Sequence, residues 1–258
     1  LKNSMLVSRY AAATDVGLQR SNNEDSFLSC PKLGLWVVAD GMGGHAAGEV
    51  ASAIVAETVM EQVRAGLSLK QAVQQSHHEI LNAAANGHGG QGMGSTVVAL
   101  MVQGAHYEVA WVGDSRAYLW SPTAMRPLRQ LTTDHSYVQM LYQTGAITAD
   151  ELETHPEKNI ITQCLGSLEL QTINVETVEG EWKKGDCFLL CSDGLSDAVP
   201  GETIESILNK ASSSQSAVDE LIQTALSCGG KDNITVTVVE YPGTFRNLGK
   251  IFLSFFSK

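Results

Sequence analysis

Leu35-Trp-Val-Val-Ala-Asp-Gly41 (LWVVADG) is a short apolar run that stops on an aspartate beside a glycine. The same design recurs in Val109–Ser115 (VAWVGDS) and Cys187–Gly194 (CFLLCSDG), and Asp232 stands just ahead of a further run, Ile234–Glu240. Short β-branched and aromatic runs of this kind read as strands. Strands of one sheet or sandwich bring their ends to common rims, so these aspartates, far apart in sequence, converge in space. Convergent carboxylates repel one another unless cations hold them. Oxygen ligands without a matching Cys/His set favour Mg²⁺ or Mn²⁺ over Zn²⁺. The first reading is a carboxylate metal site that handles phosphate.

Working outward, Val7–Ala13, Leu35–Ala39, Thr96–Val102, Tyr107–Val112, Arg116–Trp120, Cys187–Ser192 and Ile234–Glu240 are expected strands. Two long helices are expected at Ala46–Arg64 and Leu69–Ala85. The first carries Ala51, Val55, Val59 and Val63 at four-residue spacing, and the second opens on the Ser68/Gln71 capping box. Two later helices fall at Glu202–Lys210 and Ser216–Cys228. Strands in adjacent runs and helices in pairs favour antiparallel sheets covered by helices over a repeating βαβ fold. Pro122–Leu168 is more polar, carries a Thr148/Glu151 capping box, and reads as a peripheral insert beside the rim. With no internal repeat or linker, residues 5–241 form one domain. Met5 reads as a natural start, with Leu1–Ser4 ahead of it. Residues 242–258 are an amphipathic tail with Phe245, Leu248, Phe252 and Phe255 at near-helical spacing, suited to packing on the domain or to docking on a membrane or partner.

At 258 residues and 43% hydrophobic composition the chain has ample material for a core, and a net charge of −11 with no basic patch argues against a nucleic-acid partner. Bound cations would neutralise part of that acidity. Five cysteines, Cys30, Cys164, Cys187, Cys191 and Cys228, are odd in number and lack metal or redox spacing; small core residues in a reducing compartment is the reading. No secretory signal or bilayer-length apolar run is visible, which gives the expectation of a soluble, cytoplasmic protein.

The chemistry-bearing motifs follow in order. Arg20-Ser-Asn-Asn-Glu24-Asp25 sets a guanidinium, suited to bidentate phosphate capture, beside two acids. Alone it would read as a solvated surface ion pair. Asp40-Gly41-Met42-Gly43-Gly44 leads into a helix, and its glycines let backbone approach a ligand and free a carbonyl for a cation. Gly94-Ser95-Thr96, Gly113-Asp114-Ser115-Arg116, Ser192-Asp193-Gly194-Leu195-Ser196-Asp197 and Lys231-Asp232-Asn233 complete the set. Each is unspecific alone, and the ordered set is specific.

The set resembles that of the metal-dependent serine/threonine protein phosphatases of the protein phosphatase 2C family, over about Val7 to Glu240. D-G-M-G-G-H, His155-Pro156 and the Asn159-Ile-Ile-Thr stretch look like the bacterial branch. The resemblance implies an α+β fold, a four-layer αββα sandwich of two antiparallel sheets flanked by helix pairs, with a flap insert at about 137–168. It implies that Asp40 bridges two ions, that Gly41 binds one through its carbonyl, and that Asp193 and Asp232 complete the opposite ion's ligands. Glu24 and Asp25 would act through coordinated water, Arg20 would grip the substrate phosphate, and Asp114 and Asp197 would match a third, weaker position. Two cations, Mn²⁺ or Mg²⁺, would share and acidify a water whose hydroxide attacks phosphorus in line, with no phosphoenzyme. Phosphorylated protein substrates, an opposing serine/threonine kinase and a monomeric state are the expected relations, with membrane contact only through the tail.

Met42 departs from the histidine that many eukaryotic members carry after Asp-Gly, so leaving-group protonation falls to coordinated water, with His45 a weaker substitute. His77 and His78 are expected on a helix surface, His88 in a Gly-rich loop and His106 at a strand start. His135 in Thr132-Thr-Asp-His-Ser136 is expected to support the rim. The serines form no G-x-S-x-G elbow, and Gly87–Gly94 lacks the G-K-S/T of a phosphate cradle. An inactive phosphopeptide-binding or sensing module of the same fold, a small phosphate-ester hydrolase and a structural cation-binding protein are the competing readings. The first would typically have lost one of Asp40, Asp193 or Asp232, and the last leaves Arg20 unexplained.

Overall fold

The structure, a computed structural model, describes residues 8–43, 47–152, 154–170 and 172–243. The expectations for Leu1–Met5, His45 and the tail beyond Gly243 fall outside the described residues. In chain order the elements are β1 (Arg9–Asp15), β2 (Asp25–Cys30), β3 (Leu35–Met42), α1 (Ala47–Arg64), α2 (Leu69–Ala85), β4 (Gly94–Ser95), β5 (Val97–Gln103), β6 (His106–Val112), β7 (Arg116–Trp120) and β8 (Leu128–Gln130). They continue with α3 (Tyr137–Gln143), α4 (Ala149–Leu152), β9 (Glu176–Glu181), β10 (Cys187–Cys191), α5 (Asp193–Ser196), α6 (Gly201–Lys210), α7 (Ser214–Ser227) and β11 (Ile234–Glu240).

Two antiparallel sheets result, ordered β1-β11-β10-β7-β8 and β2-β3-β5-β6-β9, with β4 on β3. The two-residue side-chain period explains why the central strands read as unbroken apolar runs. Leu35, Val37 and Ala39 of β3 pack against α1 and α2, whereas Trp36 and Val38 point the other way, into the space between the sheets. In β10, Cys187, Leu189 and Cys191 face α6 and α7, while Phe188 and Leu190 face the inter-sheet core. Both faces are buried, so alternation disappears from the sequence and layering replaces it. The order is helices, sheet, sheet, helices, the expected αββα sandwich.

Four strands were not legible, among them the two-residue β4. β9 (ETVEGE) alternates half-buried and exposed at the outer edge of its sheet, and its glutamates and glycine carry little strand signal. β8 is three residues long and closes the other sheet's edge on β7, so the polar stretch from Pro122 begins inside the sandwich, and the peripheral part starts at α3. β2 begins on Asp25, one of the candidate site acids. The first strand spans Arg9–Asp15, because the β11 register pairs Arg9 with Glu240 and Asp15 with Ile234.

One expectation is overturned. His77 is fully buried, not on the helix surface. Its Nδ1 accepts the Gly166 N–H at 3.0 Å and its Nε2 lies 3.2 Å from the Leu170 carbonyl, so α2 uses this ring to fasten the end of the insert. Burial holds its pKa below the ordinary histidine value, in keeping with a neutral ring. Leu165, also fully buried, plugs the same core cluster, and Ser95 and Leu165 exchange backbone bonds of 3.1 and 2.8 Å.

Candidate active site

The rim at the C-terminal ends of β3 and β10 gathers the predicted acids. Asp40 ends the β3 apolar run opposite Asp25 of β2 in the antiparallel register. The Asp40 backbone is pinned on both sides, its carbonyl accepting the Thr96 N–H at 2.8 Å and its N–H donating to Thr96 Oγ1 at 3.2 Å. Thr96 Oγ1 in turn meets Ser115 Oγ at 2.7 Å, tying the G-S-T and G-D-S-R motifs together. Gly41 has no room for a side chain, since an added Cβ would collide with the Gly48 carbonyl, and its N–H donates to the Glu24 carbonyl at 3.1 Å. A Cβ on Gly48 would meet Glu24 Oε1 at 2.7 Å, which places the Glu24 carboxylate against the start of α1.

Asn233 does what sequence reading did not foresee. Its Oδ1 accepts the Glu24 N–H at 2.7 Å, and its Nδ2 donates to the carbonyls of Val16 and Asn22, each at 2.9 Å. One buried amide therefore holds the loop carrying Arg20 against the turn carrying Asp232. Arg20 Nη2 donates to Asp232 Oδ2 at 2.7 Å across this junction. Ser192 and Thr235 had no assigned role either; both hydroxyls donate to Asp25 Oδ2, at 2.7 and 2.6 Å.

The electrostatics are those of a site short of positive charge. Burial pushes Asp40 well above the usual carboxylate range, and the charges of Asp25, Asp193, Asp114 and Asp232 push it further. Asp193 is raised in the same way, by burial and then by Asp114, Asp232, Asp197 and Asp25. Asp25 is pushed up to about 6 by burial, against the opposing pull of its Thr235 and Ser192 hydrogen bonds. Asp114 is also pushed up to about 6, by burial and then by Asp134 and Asp197. The charges of Asp25, Asp114, Asp193 and Asp232 all act on Asp40, and those of Asp114, Asp232, Asp197 and Asp25 on Asp193, so these acids lie near one another at the rim.

The donor set fits hard divalent cations. Asp25 Oδ1 and Asp193 Oδ1 are buried carboxylate oxygens without a hydrogen-bond partner, the condition that a cation relieves. Among the described residues no three His, Cys, Asp or Glu side chains close on one point. An ion here would take one or two carboxylates and complete its shell with water, as Mg²⁺ commonly does. Asp197 stands at the outer end of α5, where Lys158 Nζ of the insert bonds its Oδ2 at 3.0 Å. A cavity of about 390 Å³ opens there, between the rim and the insert, lined by Asp114, Asp193, Asp197, Arg116, Lys158 and Asn159 among others.

Each residue of Thr132–Ser136 has a task beside this cavity. Thr132 Oγ1 accepts the Ala117 N–H at 3.3 Å, and the Thr133 carbonyl accepts Trp111 Nε1–H at 2.9 Å. Asp134 takes a fork from Arg116 at 3.0 and 2.6 Å. His135 Nδ1 accepts the Gly113 N–H at 3.1 Å, and Ser136 caps α3. The rim support expected of this segment is thus explicit.

A sequence profile of the family described as Protein phosphatase 2C matches residues 19–235. The chain belongs to the protein phosphatase 2C family. Among its relatives, the serine/threonine protein phosphatase PstP of Mycobacterium tuberculosis is 39% identical over 242 residues, 91% of this chain and 45% of PstP. The chain therefore spans under half the length of that relative. The serine/threonine phosphatase stp of Listeria innocua is 38% identical over 240 residues, covering 88% of this chain and 93% of that protein. A crystal structure of the PstP catalytic domain in complex with two manganese ions superposes with a TM-score of 0.78 at 36% identity, over 91% of this chain and 98% of the other. The phosphatase 2C sandwich and its metal dependence are thus shared by family, and the acids described above lie in the matched span.

Proposed function

We propose that the protein is a phosphoprotein phosphatase that hydrolyses phosphoserine and phosphothreonine with Mn²⁺ or Mg²⁺ and opposes a serine/threonine kinase. The observation that carries this reading is the gathering of Asp25, Asp114, Asp193 and Asp232 around the buried Asp40, whose pKa their charges raise, with Asp25 and Asp193 each keeping a buried carboxylate oxygen without a hydrogen-bond partner and a guanidinium at the same rim. Asp40, the Gly41 carbonyl, Asp193 and Asp232 would hold two ions, and Asp114 with Asp197 would serve a third. Divalent cations held there neutralise the carboxylates and lower the pKa of coordinated water from about 15.7 toward ~7.

The chain's own residues do the rest. Arg20, anchored by Asp232 and otherwise half-exposed, presents the remaining N–H groups of its guanidinium to a phosphate arriving from solvent. Asp25 keeps its place through the Ser192 and Thr235 hydroxyls, leaving Oδ1 to hold water beside Asp40. Glu24, seated against Gly48, supports the same water-filled edge. All predicted acids are present, which weighs against an inactive binding module.

The test is hydrolysis of a phosphothreonine peptide with Mn²⁺, with Mg²⁺ and with chelator, using Asp193→Asn as the blank. Metal-dependent turnover lost in the variant supports the reading. Metal binding without turnover would transfer it to a phosphopeptide-binding module.

A further inference from the structure

One imidazole joins three parts of the molecule that meet nowhere else in sequence. His135 Nδ1 accepts the N–H of Gly113, the residue before Asp114, at 3.1 Å, and the Gln163 Nε2 amide at 3.0 Å. Two N–H donors converge on this nitrogen, so it carries no proton, and the ring proton sits on Nε2, 3.5 Å from Glu176 Oε1 of β9. The backbone of the same residue repeats the pattern. Its N–H donates to the Gly113 carbonyl at 2.9 Å, and its carbonyl accepts the Thr162 N–H at 2.7 Å. The ring is stacked on Trp111 at 6.4 Å between centroids, which fixes its plane. Gln163 is itself held, donating to the Asn174 carbonyl at 2.7 Å.

Gly113 is the point where this matters. Its φ of +102° is a conformation that L side chains rarely adopt, and a Cβ there would meet Thr96 Cβ at 2.6 Å. Thr96 walls the turn from behind and His135 holds it in front, and Asp114, the next residue, lines the same cavity as Asp193 and Asp197. Thr162 and Gln163 lie on the returning arm of the insert, four and five residues beyond Lys158, whose ammonium reaches Asp197.

We propose that His135 is a positioning residue that sets the Asp114 carboxylate and docks the returning arm of the insert through the single acceptor Nδ1, so that the cavity's two walls are held in one register. The proposal rests on the phosphatase reading for its catalytic consequence and on geometry alone for its structural one. The acceptor, not the ring's bulk, is the active feature. Asn places an oxygen near the Nδ1 position and supplies it, whereas Leu fills the space without it.

The experiment compares His135→Leu, His135→Asn and Gln163→Ala by amide hydrogen exchange in chelator, and by kcat and KM with Mn²⁺. In His135→Leu the Gly113 amide is expected to exchange roughly 5- to 10-fold faster, because a lost neutral hydrogen bond is worth on the order of 1 kcal/mol. The Thr162 amide, whose acceptor is the main-chain carbonyl of residue 135, quickens less, through the lost Gln163 contact alone. His135→Asn restores protection. Gln163→Ala loosens the Thr162 side and leaves Gly113 protected. In turnover, His135→Leu raises KM for a phosphopeptide and for the weakest-bound Mn²⁺ more than it lowers kcat, and Asn recovers both. Equal exchange in Leu and Asn variants, or a loss spread uniformly over the core amides, overturns the proposal. Exchange is read without metal or substrate, so absent turnover in every protein would defeat the phosphatase reading and leave this one standing.

Discussion

Acid should stabilise the metal-free protein through Asp25, contrary to the usual behaviour of a carboxylate in an ion pair. The folded pKa of about 6 lies above the ordinary 3.8, chiefly through burial. Between those values the folded state holds a proton that the unfolded chain releases, so stability rises as pH falls through the window. Above it the ionised group costs folding about 3 kcal/mol, from a displacement of roughly two units at about 1.4 kcal/mol each. On lowering the pH from about 8 to about 5, roughly 1 kcal/mol of that is regained. Asp25→Asn removes the titration and keeps an acceptor oxygen for the Ser192 and Thr235 hydroxyls. Urea unfolding in chelator at both pH values therefore gives a difference of differences, wild type gaining about 1 kcal/mol more than the variant, or roughly 2–4 °C in Tm. His77 and His135, whose pKa values burial lowers, oppose this in both proteins and cancel. Saturating Mn²⁺ should abolish the gain, since protons then compete with the ion. Equal pH responses in chelator would show that the carboxylate is not held against its neighbours as the structure has it.

Asp232→Asn should lower turnover by more than the roughly 10–100-fold typical of a lost outer partner of a metal site, with the far-ultraviolet circular dichroism unchanged, and full activity would remove Asp232 from the metal assignment. Arg20→Ala should raise KM by roughly 10-fold, because a charge-assisted bond to phosphate is worth about 1.5–3 kcal/mol, while costing stability less than ~1 kcal/mol. An unchanged KM with a lower Tm would reduce Arg20 to an ion-pair partner. Lys158→Met frees Asp197 and should tighten the weakest Mn²⁺ site several-fold by calorimetry, on the order of 1 kcal/mol; no change would mean that Lys158 and the ion do not compete.

The sandwich was legible because its central strands are buried on both faces, and unbroken apolar runs such as LWVVA and CFLLC have few other uses. Asp40, Asp114, Asp193 and Asp232 were legible because each follows such a run or precedes one. What escaped was set by partners far along the chain. β2 takes its place from β3, and β9 is a strand only because β6 offers an edge. His77 sits on a helix whose polar neighbours suggest a wet face, yet the returning insert covers it with Gly166 and Leu170. Asn233 was visible as part of a motif, but its three bonds go to residues 209 to 217 positions away, a relation that no local pattern encodes.

That last span has a consequence for how the protein comes into being. β1 is the first strand described and pairs with β11, the last, and the Asn233 amide clasps the Arg20 loop only once both are in place. During synthesis the earlier acids emerge first, without Asp232 and without the strand that would fix the Arg20 loop. A chain cut short before Asp232 lacks the partner of the Arg20 guanidinium and the Asn233 amide that clasps the Arg20 loop. Under the proposed function, dephosphorylation would be withheld from the unfinished polypeptide, with completeness of the fold as its condition.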